Sequence, residues 1–553
     1  MIGLALATAR ATDVLTEHND IARTGANLNE RRLNSSNVNV RQFGKLFERF
    51  VDGQIYGQPL VVSGVTTASG VRNVVYVATM HDSVFAFDAD DPAATAPLWV
   101  QHLENPRAST DDDIQNEIGI TSTPVISKTH NAIYVVTYGD STGTLRHQLF
   151  ALSLCDGTPL FGGPRAIAPT AAGAGVGSSG GVITFDPSHQ NQRPALLLSN
   201  DTIYVGFASF GDHDDWHGWM VGFSAADLSP LPAVFVTTPN GRRGGIWQAG
   251  QGPAADPAGN VYFITGNGDF GENPTSASAQ VNVGDSFVKL GPDLSLKDWF
   301  SPWDSAQMDE GPTCFLLCGN VDEDLGAGGL ILMPAGRSML AVGGGKRGKL
   351  YVLDPNNLGH QCAACGDSTG GIDTQIVDSW QATPPRNAPW PALPTAQHAR
   401  GLHHIHGTPV YWNSPALGPL IYLGGEADNL RAFHFNGKVF DHSEAHPGIT
   451  GVSTTPARSM PGAMLSISAN NRVAGTGILW ATHPIEGDAN MGTVAGMLRA
   501  FDAGTLHEIW NSTLNPSQED MLGDCSKFSP PTIANGKVYV ATFSNKLVVY
   551  GLK

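Results

Sequence analysis

An apolar strand that ends in a small polar turn recurs eight times along this chain, and few folds accommodate such a pattern. It reads VFAFDAD (Val84 to Asp90), LFALSLCDG (Leu149 to Gly157), MVGFSAADL (Met220 to Leu228), FVKLGPDLS (Phe287 to Ser295), LYVLDPNNLG (Leu350 to Gly359), LRAFHFNG (Leu430 to Gly437), LRAFDAGTL (Leu498 to Leu506) and LVVYGLK (Leu547 to Lys553). The units are spaced about 66 residues apart, and self-similarity at a fixed period marks a repeat architecture. Upstream of each lies a second apolar run, such as VVYVATM (Val74 to Met80), and before that a segment opening on Pro or Gly, such as GQPLVV or GTPVYW. A weaker fourth strand follows, as in PLWVQHL (Pro97 to Leu103). Four short strands with tight turns make one propeller blade. The expected fold is therefore all-β: a single eight-bladed β-propeller of four-stranded antiparallel blades over residues 13–553.

The last unit ends before its fourth strand, and FGKLFERFVDG (Phe43 to Gly53) has the character of the missing one. Pairing the two ends closes the ring and removes the exposed sheet edge of an open array. The 65 Gly and 36 Pro, with only 15% charged residues, fit a turn-dense β-protein. Four long polar insertions, Asn105 to Glu117, Asn267 to Val283, Asp304 to Asp324 and Gly359 to Gly401, exceed what a compact domain needs to connect strands, which marks them as functional or disordered.

A formal charge of -18 repels phosphate backbones and anionic lipid, which excludes nucleic acid and membrane surfaces as partners. The opening MIGLALATARA resembles the tail of a secretory leader and is too short to span a bilayer, so residues 1–12 are expected to be a leader remnant and the chain to be secreted or periplasmic. Of the six cysteines, Cys314 with Cys318 and Cys362 with Cys365 form close pairs. Their spacing does not suit a zinc ribbon, and in an exported chain local disulfides are the expectation.

The densest chemistry lies between Val205 and Phe270, where Asp212, His213, Asp214, Asp215, His217, Trp219 and Trp247 sit among short apolar runs and glycines. This is the composition of a site carried on strand ends. A second cluster is HHIHG, with His403, His404 and His406; the last two alternate with Ile405 and so share a face in extended chain. Neutral imidazoles suit a transition metal, which gives Asp212, His213, His217, His404 and His406 as candidate ligands. Rim carboxylates Asp285, Glu323, Asp324, Glu426, Asp428 and Asp488 could supply an acid and a base. On these residues alone the chain reads as a metal-assisted polysaccharide hydrolase or lyase, or as a non-catalytic binding propeller. P-loop and HExxH motifs are absent.

Taken together, GKLFERFVDGQIYGQPL, EIGITSTPV, GGIWQAGQG, ITGNG, GGGKRGKLYVLD, HHIHGTPVYW and SPPTIANGKVYVATFSNKLVVYGL resemble the pyrroloquinoline quinone (PQQ) type of eight-bladed propeller over nearly the whole chain. The resemblance implies an oxidoreductase acting on an alcohol or sugar with PQQ and calcium. It places the quinone-stacking indole on Trp247, a calcium-ligating Asn on Asn267, a quinone-contacting Lys on Lys346 and the catalytic base on Asp324. Trp216, Trp219, Trp412 and Trp480 are further indoles that could stack on a quinone or sugar, of which Trp412 is taken as a cofactor contact. Where those enzymes carry a calcium-ligating Glu, FGDHDDWHGW puts His213. No two cysteines are adjacent, so the vicinal disulfide of that family is missing, and no CxxCH offers a covalent haem.

Overall fold

The computed structural model describes residues 11–111, 113–211, 215–272, 281–308, 322–362, 365, 372–384, 403–442 and 460–553. Among these there is no α-helix, and the strands gather into eight blade sheets, each with four antiparallel strands, arranged as a propeller ring with three further two-stranded hairpins. The first blade runs Leu60–Thr67, Gly70–Ala78, Ser83–Asp88 and Trp99–His102 in sheet order. Blades two to seven repeat that order, each beginning with a first strand: Val125–Ser127, Leu197–Ser199, Ala254–Ala255, Leu330–Ala335, Val410–Ser414 and Met464–Ser468. The eighth blade takes three strands from the C-terminus, Thr532–Ala534, Lys537–Val540 and Lys546–Leu552, and its fourth, Phe43–Phe50, from the N-terminal side. The expected closure is thus present, antiparallel, with a bulge between Lys45 and Phe47.

The middle strands carry apolar residues on both faces because each blade is covered on both sides by a neighbour. Ala132–Gly139 (AIYVVTYG) and Ser83–Asp88 (SVFAFD) are buried at every position, so their side chains show no alternation of apolar and polar. The core is correspondingly a ring of interblade layers. One layer joins blades two and three through Val205, Phe207 and Trp219, another blades six and seven through Trp412, Leu420 and Leu479. At the seam of blades seven and eight Phe43 packs between Trp480, Trp510 and Tyr550, with centroids 5.5, 4.9 and 6.5 Å away.

The axis is filled by the N-terminal segment, which the repeat pattern gave no reason to expect. Carbonyls of Val14, Leu15, Ile21, Ala22, Thr24 and Gly25 accept hydrogen bonds from Val61, Ile126, Ala255, Leu332, Tyr411 and Ile467, one from the first strand of each of six blades. The Arg23 guanidinium, fully buried, donates to the carbonyl of Leu196 ahead of blade three, and Asn27 donates to Ile533 in blade eight. All eight blades are therefore tied to one strap. Of residues 1–12, expected as a leader remnant, 1–10 lie outside the described residues, while the Thr12 N–H donates to Asn535 Oδ1 at 2.8 Å.

Candidate functional site

In an antiparallel four-stranded blade, the loop entering the first strand and the turn between the second and third strands fall on the same face of the ring. The side chains on these connections line one axial cavity of about 660 Å³. The entering loops bring Tyr56, Asp113, Arg193, Trp247, Asp324, His404, His406 and Phe528, and the turns bring Lys346, Arg347 and Asn490. That volume suits a small organic ligand.

On the wall from blades four and five, Asp324 and Lys346 meet. Lys346 Nζ donates to Asp324 Oδ2 at 2.6 Å and to Asp322 Oδ2 at 2.6 Å. The backbone N–H of Asn267 donates to Asp324 Oδ1 at 2.8 Å, and its side-chain amide to Asp322 Oδ1 at 3.0 Å. Burial alone would weaken the Lys346 ammonium, but the two carboxylates reverse that and hold it well above its ordinary range. Desolvation likewise pushes Asp322 up, and the Lys346 charge outweighs it, leaving the acid well below the usual carboxylate range. Gly266 is required beside them, since a Cβ there would overlap Asp324 Oδ1 and crowd Trp247.

The wall from blade six carries His404, His406 and Glu426. Glu426 Oε2 lies 3.2 Å from His404 Nδ1 and 3.6 Å from His406 Nε2. The segment HHIHG is not itself a strand, yet the expected alternation holds: Ile405 is fully buried in the layer between blades five and six while both imidazoles reach Glu426. The backbone is pinned by Glu426 N–H donating to the His404 carbonyl at 2.8 Å and by Thr383 Oγ1 donating to that of His403 at 2.6 Å. Burial raises Glu426, but the imidazoles prevail and bring it to about 2; burial lowers His406.

Opposite stands a cationic, aromatic wall. Arg193 lies over the Phe528 and Tyr56 rings at 4.9 and 5.6 Å, and Lys527 over the same rings at 5.7 and 5.9 Å. Burial depresses Lys527 to about 8, and the carbonyl of Asp113 and both oxygens of Asn490 accept from its ammonium.

Of the residues singled out in the sequence, Trp247, Asp324, Lys346, His404 and His406 line this cavity, with Asn267 bonded to the acids behind it. His217 does not: its Nδ1 is bonded to Thr238 Oγ1 and its Nε2 to the Val176 carbonyl, so both ring nitrogens serve the loop. Trp412 is also elsewhere, buried between blades six and seven with its N–H on the Asn471 carbonyl, because Gly477 opens a slot that only its ring fills. Trp219 and Trp480 are likewise interblade packing, and Trp216 is buried edge-on to Trp247. Asp212 and His213 lie outside the described residues, as do Cys314 and Cys318. Cys362 and Cys365 form the expected local disulfide. Arg193, Lys527, Phe528 and Tyr56 were missed. Their common signal is position: each stands one to three residues before a proline that opens a first strand.

With this geometry in view, the fold is that of the quinoprotein alcohol dehydrogenases. A quinohemoprotein alcohol dehydrogenase from Comamonas testosteroni matches 99% of this chain over 81% of its own, with TM-score 0.60 and 14% identity. One from Pseudomonas putida HK5 matches 98% over 80%, with TM-score 0.56 and 12% identity. A europium-containing methanol dehydrogenase matches 98% over 98%, with TM-score 0.56 and 13% identity. At such identities the likeness is one of fold. No known family profile and no curated protein matches the sequence. Among the described residues no helix is long and apolar enough to cross a membrane.

Proposed function

We propose that this chain is a PQQ-type oxidoreductase that takes an alcohol or a sugar into the axial cavity. The observation that carries the reading is the meeting of Asp324, Lys346 and Asn267 behind Trp247 on one cavity wall. The residues fit such a cofactor with its cation. Asn267 Oδ1 is buried and, among the described residues, accepts no hydrogen bond, while the two N–H groups of the same residue hold Asp324 and Asp322. An unsatisfied amide oxygen on a residue that also holds two carboxylates suits a hard cation such as calcium. Arg193 and Lys527 offer positive charge to an anionic ligand, and Trp247 an indole face. Bound there, the quinone would supply a two-electron acceptor.

The chain's own residues do the rest. Asp324 accepts the substrate hydroxyl proton, positioned by the Asn267 N–H and charge-balanced by Lys346. Lys346, held by two carboxylates, keeps its proton and directs a fixed positive charge toward a developing oxyanion. The Cys362–Cys365 disulfide supports an exported protein. The substrate would be a small molecule or glycan; nucleic acid and membrane lipid are disfavoured by the acidic charge. The test is to incubate the purified protein with PQQ and calcium, remove the excess by gel filtration, and measure quinone absorbance and alcohol- or sugar-dependent dye reduction. Failure of both refutes the proposal.

A further inference from the structure

The blade-six wall has a chemistry that a quinone site does not need. The donor atoms of His404, His406 and Glu426 all lie within 4.8 Å of one another, and the two contacts to Glu426 Oε2 are 3.2 and 3.6 Å. Four ligands at about 2.0–2.1 Å around a tetrahedral metal stand about 3.3 Å apart, so these separations are those of a coordination sphere. His406 Nε2 and Glu426 Oε2 are fully buried, and among the described residues neither makes a hydrogen bond of proper geometry. Buried polar atoms left in that condition are costly, and one cation between them would satisfy both. The three side chains are held from behind by the buried Ile405 and the Glu426-to-His404 backbone bond.

We infer that His404, His406 and Glu426 form a binding site for a divalent transition metal of the zinc or iron type, with a remaining coordination position directed into the axial cavity. Two imidazoles and one carboxylate are the ligands of that metal class, whereas calcium takes six to eight oxygens. The site is thus distinct in chemistry from the oxygen cluster of Asn267, Asp322 and Asp324 on the neighbouring wall, and it does not depend on the quinone. Because His404 and His406 both line the cavity, the open position takes an oxygen of whatever enters: water in the resting protein, a substrate hydroxyl when substrate is bound.

A second group, Asp52, His81 and His102, gathers on the same face. It differs in being already engaged: Asp52 accepts from Thr79 and Ser83, His81 Nδ1 is bonded to Glu117, and His102 Nδ1 to Ser83 Oγ. It therefore supplies the control.

The full chain is stripped with chelator, titrated with Co²⁺ and Zn²⁺, and its retained metal counted after gel filtration. One tightly held equivalent is expected, with a Co²⁺ ligand-field spectrum that Zn²⁺ abolishes. Loss of outer-shell partners alone weakens metal sites ~10–100-fold, so His406→Gln and Glu426→Gln should each weaken binding by at least about 100-fold, with Asp52→Asn unchanged. Thermal melting of each variant confirms that it is folded; should either fail, His404→Gln replaces it. No stoichiometric metal, undiminished binding in the cavity variants, or loss in Asp52→Asn overturns the inference.

Discussion

Replacing Lys346 by methionine tests whether the acid–lysine cluster is one unit. The side chain would keep most of its length and lose its charge. Of its two partners, Asp322 is 49% exposed and Asp324 only 8%, so the bond to Asp322 is worth little and the bond to Asp324 carries the effect. Breaking a buried pair by removing one partner costs ~3–5 kcal/mol. Asp324 keeps the Asn267 N–H, which places the cost near ~3 kcal/mol at the low end of that range. Asp324→Asn alone retains the bond from Asn267 but turns an amide toward the ammonium, at ~1–3 kcal/mol. In the double variant both the unbalanced charge and the donor clash vanish, so its cost should fall short of the sum of the two by about 2 kcal/mol. Urea unfolding of the four proteins at pH 7, compared at constant m, reads the coupling. Dye reduction should fall ~10²–10⁴-fold with Asp324→Asn, the contribution of a positioned base. Additivity within ~0.5 kcal/mol would refute the idea that these two groups act together.

Other outcomes follow from single residues. Gly266→Ala should leave the melting profile of the ring cooperative yet impair quinone binding, because the new Cβ displaces Asp324 and presses on Trp247; unchanged binding in a difference-absorbance titration would contradict this. Arg23→Met strips donors from the carbonyls of Glu17, Leu196 and Pro253; at ~1–3 kcal/mol for each buried acceptor left bare, the loss should reach about 4 kcal/mol in the free energy of urea unfolding. Burial depresses His147 from 6.5 to about 4, opposed by its bond to the Gln190 carbonyl. The folded state thus prefers the neutral ring: the stabilisation is full above pH 6.5 and is lost as pH falls from there to about 4. By pH 5 the loss amounts to about 2 kcal/mol. Melting temperatures of His147→Gln against wild type should converge as pH falls from 7 to 5; a constant gap would reject this role.

The ring was legible because its signal is redundant. Eight third strands, from Ser83–Asp88 to Lys546–Leu552, fell where the apolar repeat put them, and the missing outer strand of the last blade pointed to Phe43–Phe50. The axial strap was not legible. Residues 14–27 carry no strand periodicity, since their bonds go to six different blades in turn rather than to one partner strand. The rim indoles misled for a related reason: an interblade layer and a ligand platform demand the same flat apolar ring, and only the slot at Gly477 tells Trp412 which of the two it serves.

The site residues obey a rule that explains both what was found and what was missed. Within one blade, the entering loop and the turn between the second and third strands meet at the axis, and the two short strands between them set their separation at about 20 residues. Blade four supplies Trp247 and Asn267 in this way, blade five Asp324 and Lys346, and blade six His404 and His406 with Glu426. Composition picks out HHIH because three imidazoles are conspicuous; Glu426 is one of six candidate rim carboxylates, and only blade periodicity assigns it to those histidines. Function on this scaffold is accordingly written in consecutive blades, an indole with an amide, an acid with a lysine, and an imidazole pair with a carboxylate. The proposed hard-cation site and the proposed transition-metal site, being on adjacent blades, share one cavity.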